Sequence, residues 1–354
     1  MKVLFCGLKY EYGKAQAGLS FEYRNFFEVL RAMPGVQAEI FAPDERMQAV
    51  GREEMNKQLI IEVLEKKPDL FFCFLFTEEL KKATIDYITR KTSVKTFNWF
   101  ADDHWRFPVF SRHWAPLFTA VSTTDSQAVA KYHRIGVKNV IKTQWGANTV
   151  LYRPARESDN RRIREPDIAF VGKNYGNRQS YVQNLKSAGL RAEGFGGAWP
   201  TGRVDFEKML EFFSFSKINL NFTESYFSWP KQIVKLFLKK ELGSYKVSIQ
   251  SPISNLQSLI GARRRQIKGR MFEVPACGGF LLTGDADNLG DYYIDGKEIV
   301  IFKDKNDLVE KCKYYLSHDD ERKIIAEAGF KRTIKAHTYV HRFREIFKAL
   351  EFKL

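Results

Sequence analysis

Lys173 and Arg178 stand five residues apart in the run Phe170-Val171-Gly172-Lys173-Asn174-Tyr175-Gly176-Asn177-Arg178. An apolar strand that ends in glycine and leads into a helix start offers backbone amides and a positive dipole end to an anion. The two side chains add charge, and the chemistry that suits such a place is stabilisation of negative charge growing on a departing phosphate. A solvated glycine-rich loop is the other reading of the same residues. A second group lies in Lys268-Gly269-Arg270-Met271-Phe272-Glu273-Val274-Pro275-Ala276-Cys277-Gly278-Gly279. There a cationic turn precedes a short helix with one carboxylate, and paired glycines lead into a buried strand. Glu273 suits two hydrogen bonds from a ribose diol, and Gly278 and Gly279 let backbone approach a ligand closely. A Glu at a helix start favoured by the macrodipole, with glycines that only serve the turn, explains the pattern equally well.

A third group is Asp102-Asp103-His104-Trp105, just past an apolar strand. Two carboxylates and an imidazole suit a general base on a hydroxyl or a clamp that orients one, and Trp105 suits stacking on a sugar ring. The alternative is an Asp helix cap with an Asp–Arg ion pair to Arg106. Gly13, in the loop 7–20 after the first strand, is expected to border the same place. The other histidines (113, 133, 318, 337 and 341) do not cluster and read as surface or packing residues.

Short apolar strands alternating with amphipathic helices must position these groups. Strands are predicted over 2–6, 37–41, 70–75, 95–100, 118–122 and 140–144, with helices over 21–31, 53–66, 78–90 and 126–134 between them. Asp125 and Gly136 punctuate the last helix as N-cap and stop. A polar stretch without periodicity, 154–162, reads as a linker. The pattern then restarts, with strands over 167–171, 191–195, 218–222, 279–283 and 298–302. Strand–helix alternation of this length means parallel sheets, so the expected fold is α/β, with two Rossmann-like domains facing across a cleft. Residues 1–150 form the first domain, 151–335 the second, and 336–354 a terminal helix packing back toward the first. Ligands of open parallel sheets sit beyond the carboxyl ends of the strands, where all three groups fall.

With 354 residues, 44% hydrophobic and 28% charged, the chain has the composition of a folded globular protein. No stretch approaches the roughly 20 apolar residues of a membrane span. The N-terminus reads as a strand rather than a signal peptide, and the four cysteines (Cys6, Cys73, Cys277 and Cys312) lack metal-like spacing. A cytoplasmic protein is expected, with peripheral contact at the inner membrane surface as a further option. The net charge of +15 attracts polyanions. Residues 231–270 hold ten Lys or Arg against Glu241 alone. That stretch, and Trp229–Leu242 within it, suits an anionic membrane surface, a nucleic acid, or plain solvation beside a phosphate site.

Glu273-Val274-Pro275-Ala276-Cys277-Gly278 resembles the E-A-M-A-C-G segment of GT-B glycosyltransferases. The wider phrase R-x-F-E-x-x-A-C-G-G-F-L-L-T, from Arg270 to Thr283, resembles the CgeB-like (spore maturation protein-like) branch, related to the group 1 glycosyltransferases. Gly296-Lys297-Glu298, His337-Thr338, His341-Arg342 and Trp145-Gly146-Ala147-Asn148 extend the likeness. The resemblance implies a GT-B fold and transfer of a sugar to an acceptor hydroxyl of a glycan, a protein or another molecule. It also implies a donor site in the C-terminal domain, an acceptor site in the N-terminal domain, and no cofactor or required metal. A UDP- or GDP-linked sugar is the expected donor. Gly172, Asn221, Lys268, Arg270, Glu273, Gly278 and Gly279 would bind it, with Lys173 and Arg178 on the departing diphosphate. Asp103, Asp102, Gly13, His104 and Trp105 would serve the acceptor side. Glu273 matches the second Glu of the E-x7-E signature of retaining relatives, while its first position holds Arg265. Transfer to nucleic acid, non-catalytic nucleotide-sugar binding and sugar-nucleotide epimerisation are the alternatives on the same scaffold.

Overall fold

The computed structural model describes residues 1–155, 166–224 and 264–353, and the backbone of 238–241 and 244–247. Two compact units emerge, described here one at a time.

The first unit holds residues 1–144 and the C-terminal segment from Tyr339. Its sheet is six-stranded, in the order β2-β1-β3-β4-β5-β6: β1 (Lys2–Cys6), β2 (Gln37–Phe41), β3 (Leu70–Cys73), β4 (Lys95–Phe100), β5 (Ala120–Thr123) and β6 (Val140–Lys142). All neighbours pair in parallel. Every residue of β3 is buried, because a central parallel strand is covered on both faces and must be apolar throughout. The helices are α1 (Glu28–Ala32), α2 (Pro43–Lys66), α3 (Lys82–Lys91), the short α4 (Asp103–Arg106) and α5 (Arg112–Trp114), and α6 (Ala128–Arg134). A π-helical turn, Tyr23–Phe27, precedes α1, and the Asn25 amide donates back to the Phe21 carbonyl within it. α2 bends at Gly51, where φ is +76°. The helix expected from residue 78 begins only at Lys82. Glu79 turns inward instead and accepts from the Phe76 and Thr77 amides, each at 2.7 Å, which closes the loop after β3.

The second unit carries a five-stranded parallel sheet in the order β13-β12-β9-β7-β8. Its strands are β7 (Ile168–Val171), β8 (Ala192–Phe195), β9 (Ile218–Asn221), β12 (Leu281–Gly284) and β13 (Val300–Phe302). Between β9 and β12 the chain forms an antiparallel pair, β10 (Leu238–Glu241) and β11 (Ser244–Val247). Leu238–Glu241 is therefore strand where the basic stretch Trp229–Leu242 reads as amphipathic. The rest of 231–263 lies outside the described residues, as does 156–162 of the expected linker. The helices are α7 (Arg178–Ser187), α8 (Phe206–Phe215), α9 (Arg270–Ala276), α10 (Lys305–Ser317) and α11 (Asp319–Ala336).

α12 (Tyr339–Ala349) returns to the first unit and buries Tyr339, Phe343, Ile346 and Phe347, a 3.6-residue stripe. Phe26 anchors it there, with ring centroids 5.1 Å from Tyr339, 5.5 Å from Phe343 and 4.9 Å from Trp99.

α10 begins at a built cap: the Asp304 carboxylate accepts from the Asn306 and Asp307 amides at 2.8 and 3.0 Å. Asp304→Ala leaves those donors to water and is expected to cost about 1 kcal/mol in urea unfolding.

No described helix is long and apolar enough to cross a membrane. All four cysteines are buried and unbridged.

Candidate active site

Strand order marks where a ligand crevice is expected. In the second unit the direction of strand addition reverses between β7 and β9, and crevices of doubly wound sheets open at the carboxyl ends of such a pair. The residues there are the loop 172–177 after β7 and Phe222-Thr223-Glu224 after β9.

The β7 loop is held by its neighbour after β8. The Gly172 amide donates to the Phe195 carbonyl and the Asn174 amide to the Gly197 carbonyl, both at 2.7 Å. Trp199 Nε1 donates to the Gly172 carbonyl at 2.7 Å. Gly196, at φ +128°, lies so close that a Cβ would stand 2.5 Å from that carbonyl oxygen. The Gly172 and Asn174 amides are thus committed within the protein. Asn177 caps α7 without a side-chain hydrogen bond, so the first amides of that helix face no side-chain acceptor.

Arg178 is only 8% exposed. Its guanidinium lies 3.8 Å from the centroid of Tyr175 and 5.1 Å from that of Phe170. Nη1 donates to the Lys173 carbonyl at 2.7 Å and Nη2 to the Tyr175 hydroxyl at 2.8 Å, while Nε is buried without a partner. Burial lowers its pKa to about 10; Tyr175 opposes the shift and the positive charge of Arg270 adds to it. Arg178 therefore stays charged at neutral pH and faces a like charge. Arg270 reaches the same spot, since a Cβ on Gly172 would stand 3.5 Å from its Cζ. Its Nε is likewise buried and unpaired. Lys173, by contrast, has an exposed side chain and contributes its carbonyl to Arg178.

Glu273 is 5% exposed in the first turn of α9. Burial raises its pKa above the ordinary carboxylate value, against the pull of the Arg270 charge and a hydrogen bond with Tyr152. Lys268 is half-buried just before α9. Gly278 and Gly279 have a packing reason of their own. Gly278 sits at φ +75° past the end of α9, and a Cβ on Gly279 would stand 2.0 Å from the Phe213 carbonyl oxygen of α8. Asn221 is buried and donates to the Thr283 hydroxyl at 2.9 Å, tying β9 to β12. Arg265 pairs with Glu224 at 3.0 Å. Sequence reading missed Tyr175, Trp199, Gly196, Tyr152 and Glu224. The glycine after β8 was the one local signal of a close approach.

In the first unit the direction reverses between β1 and β3, and Asp102–Trp105 follows β4 next to them. The four residues separate by depth. Asp103 is 0% exposed, and its Oδ2 accepts from the Tyr132 hydroxyl at 2.7 Å. Burial raises its pKa to about 6, against hydrogen bonds from Ser111, Thr123 and Tyr132. At that depth the Asp103 carboxylate meets Tyr132 and the interior rather than solvent. His104 is also buried, whereas Asp102 and Trp105 are half-buried. Arg106 donates to the Phe76 carbonyl at 2.8 Å and stacks on Phe110 at 4.0 Å, bracing the β4 loop against the β3 loop. Gly13, at φ +71°, closes a short turn with Tyr12. Among the described residues, no group of three His, Cys, Asp or Glu has the arrangement of a metal site.

Residues 178–348 match a family model described as glycosyl transferase-like. The chain is 20% identical over 258 residues to the spore protein CgeB of Bacillus subtilis (strain 168), covering 72% of this chain and 75% of that protein. Among solved structures it is similar to a sucrose-phosphate synthase from Thermosynechococcus elongatus. The TM-score is 0.63 at 10% identity, over 98% of this chain and 99% of that one. It is also similar to HepE of Anabaena in complex with UDP, with a TM-score of 0.56 at 12% identity over 99% and 100% of the two chains. A glycosyltransferase from Rickettsia africae ESF-5 gives 0.55 at 13% identity over 99% of both. The two parallel sheets and these structural matches give the chain the GT-B fold, and its sequence is similar to the glycosyl transferase-like family over residues 178–348 and to CgeB over most of its length.

Proposed function

We propose that the second unit binds a nucleoside-diphosphate sugar and that the chain transfers its sugar to a hydroxyl, without a metal and with retention of anomeric configuration. One observation carries this reading. Two charged guanidinium groups, Arg178 and Arg270, face each other beside Gly172, each with a buried, unpaired Nε. Like charges at a switch-point crevice are costly unless an anion offsets them, and a diphosphate supplies two negative groups. Glu273 lies three residues from Arg270 on α9, where a ribose diol would donate to it. As the sugar–phosphate bond breaks, charge grows on the diphosphate, and the guanidinium groups stabilise it in the role a divalent cation plays elsewhere. The HepE structures hold UDP and UDP-glucose, which favours a UDP-linked donor. On the acceptor side, Asp102 and Trp105 remain accessible to orient a hydroxyl and stack on a ring, with His104 buried behind them.

Incubation of the protein with UDP-glucose is expected to release UDP faster than buffer does, through water when no acceptor is added. EDTA is expected to leave the rate unchanged, and NMR of the first-formed sugar to show the α anomer. Release at the buffer rate with every donor tried would contradict transfer.

A further inference from the structure

We propose that Tyr175 is itself a ligand of the diphosphate, donating its phenol proton to a phosphate oxygen, with Arg178 acting behind it. This rests on the donor site proposed above and names the group that delivers its charge. Arg178 is poorly placed to touch a ligand directly: its guanidinium is buried, roofed by the Tyr175 ring at 3.8 Å, and each Nη already gives one of its two N–H groups within the loop. Tyr175 is the exposed end of that arrangement, at 37%. Its hydroxyl oxygen accepts from Nη2, which leaves its own proton to be donated onward, and no described residue receives it. A hydroxyl that accepts from a cation is a stronger donor in turn, because hydrogen bonds in a chain polarise one another. Gly176, at φ +69°, turns the backbone directly after Tyr175, and the uncapped first turn of α7 follows. The Tyr175 hydroxyl and the α7 amides therefore end on one short loop, with Arg270 approaching Gly172 at its other end. Arg178 is a positioning residue in this arrangement: it fixes the ring by stacking and the hydroxyl by its hydrogen bond.

The test is Tyr175→Phe, which keeps the ring and its stacking and removes the hydroxyl, both its proton and the oxygen that accepts from Arg178 Nη2. Calorimetry with UDP and, separately, with inorganic pyrophosphate reads the contact. Both are expected to bind the variant about tenfold more weakly than the wild type, since a hydrogen bond to a charged oxygen is lost. The melting temperature without ligand is expected to fall by no more than the few degrees that one lost hydrogen bond costs. Equal or tighter binding of both probes by the variant overturns the proposal, since Arg178 then serves without the phenol. The two readings fail separately. A wild type that binds pyrophosphate but no nucleotide sugar contradicts the function while Tyr175 still holds the anion. A wild type that binds UDP-glucose with no change in Tyr175→Phe contradicts only the role of Tyr175.

Discussion

Arg178→Met is expected to weaken binding of a nucleotide-sugar by on the order of 30- to 100-fold, about 2–3 kcal/mol, without unfolding the protein. The variant removes a buried positive charge that no described carboxylate neutralises and that Arg270 repels. Methionine fills much of the same apolar space between Phe170 and Tyr175. Replacing a buried charge by an apolar side chain of similar volume is often neutral or stabilising, so the melting temperature should hold or rise. The loop after β7 keeps its other ties, through Phe195, Gly197 and Trp199. Arg178→Lys should fall between the two, since it restores charge without the planar fork that reaches Lys173 and Tyr175 together. Calorimetric titration of the three proteins checks the order. Equal affinity in Arg178→Met would show that the buried charge serves the fold alone.

The second large effect is on stability. Asp103 has a pKa near 6 in the folded protein against an ordinary value of 3.8. The folded state therefore binds more protons than the unfolded state between those values. The contribution of Asp103 to stability is greatest below pH 4, falls as pH rises through 4 to 6, and stays lower above. A shift of about two units corresponds to about 3 kcal/mol. Asp103→Asn keeps an oxygen for the Tyr132 hydroxyl and carries no charge to desolvate. It is expected to raise stability in urea at pH 8 by about 2–3 kcal/mol and to change it little at pH 4. Donor turnover should survive, because Asp102 is the accessible carboxylate of the pair. A variant less stable at pH 8 would contradict the assignment of Asp103 to the interior.

The architecture was legible because parallel strands buried on both faces must be apolar runs, as Leu70–Cys73 and Ile168–Val171 are. The candidate loops were legible only as places. Arg178 could be picked out from its type and spacing, but its depth could not, since Tyr175 and Phe170 cover it through ring stacking. Asp102 and Asp103 are adjacent and chemically alike, and only the approach of Tyr132, 29 residues on, separates them. Asn221 looks like a ligand residue at a strand end, yet its partner is Thr283, 62 residues away on β12. Trp199 fixes the Gly172 carbonyl from 27 residues away. Contacts of that range follow from sheet order, which local pattern does not encode. The glycine pair 278–279 carried two readings, and the Phe213 carbonyl gives the packing one a concrete cause.

The most direct measurement is calorimetric titration of the full chain with UDP-glucose, GDP-mannose, ADP-glucose and dTDP-glucose in the presence of EDTA. The expected result is saturable binding of one of them, UDP-glucose first, at one site per chain, weakened in Arg178→Met. Absence of binding by all four donors would contradict the donor site between Arg178, Arg270 and Glu273.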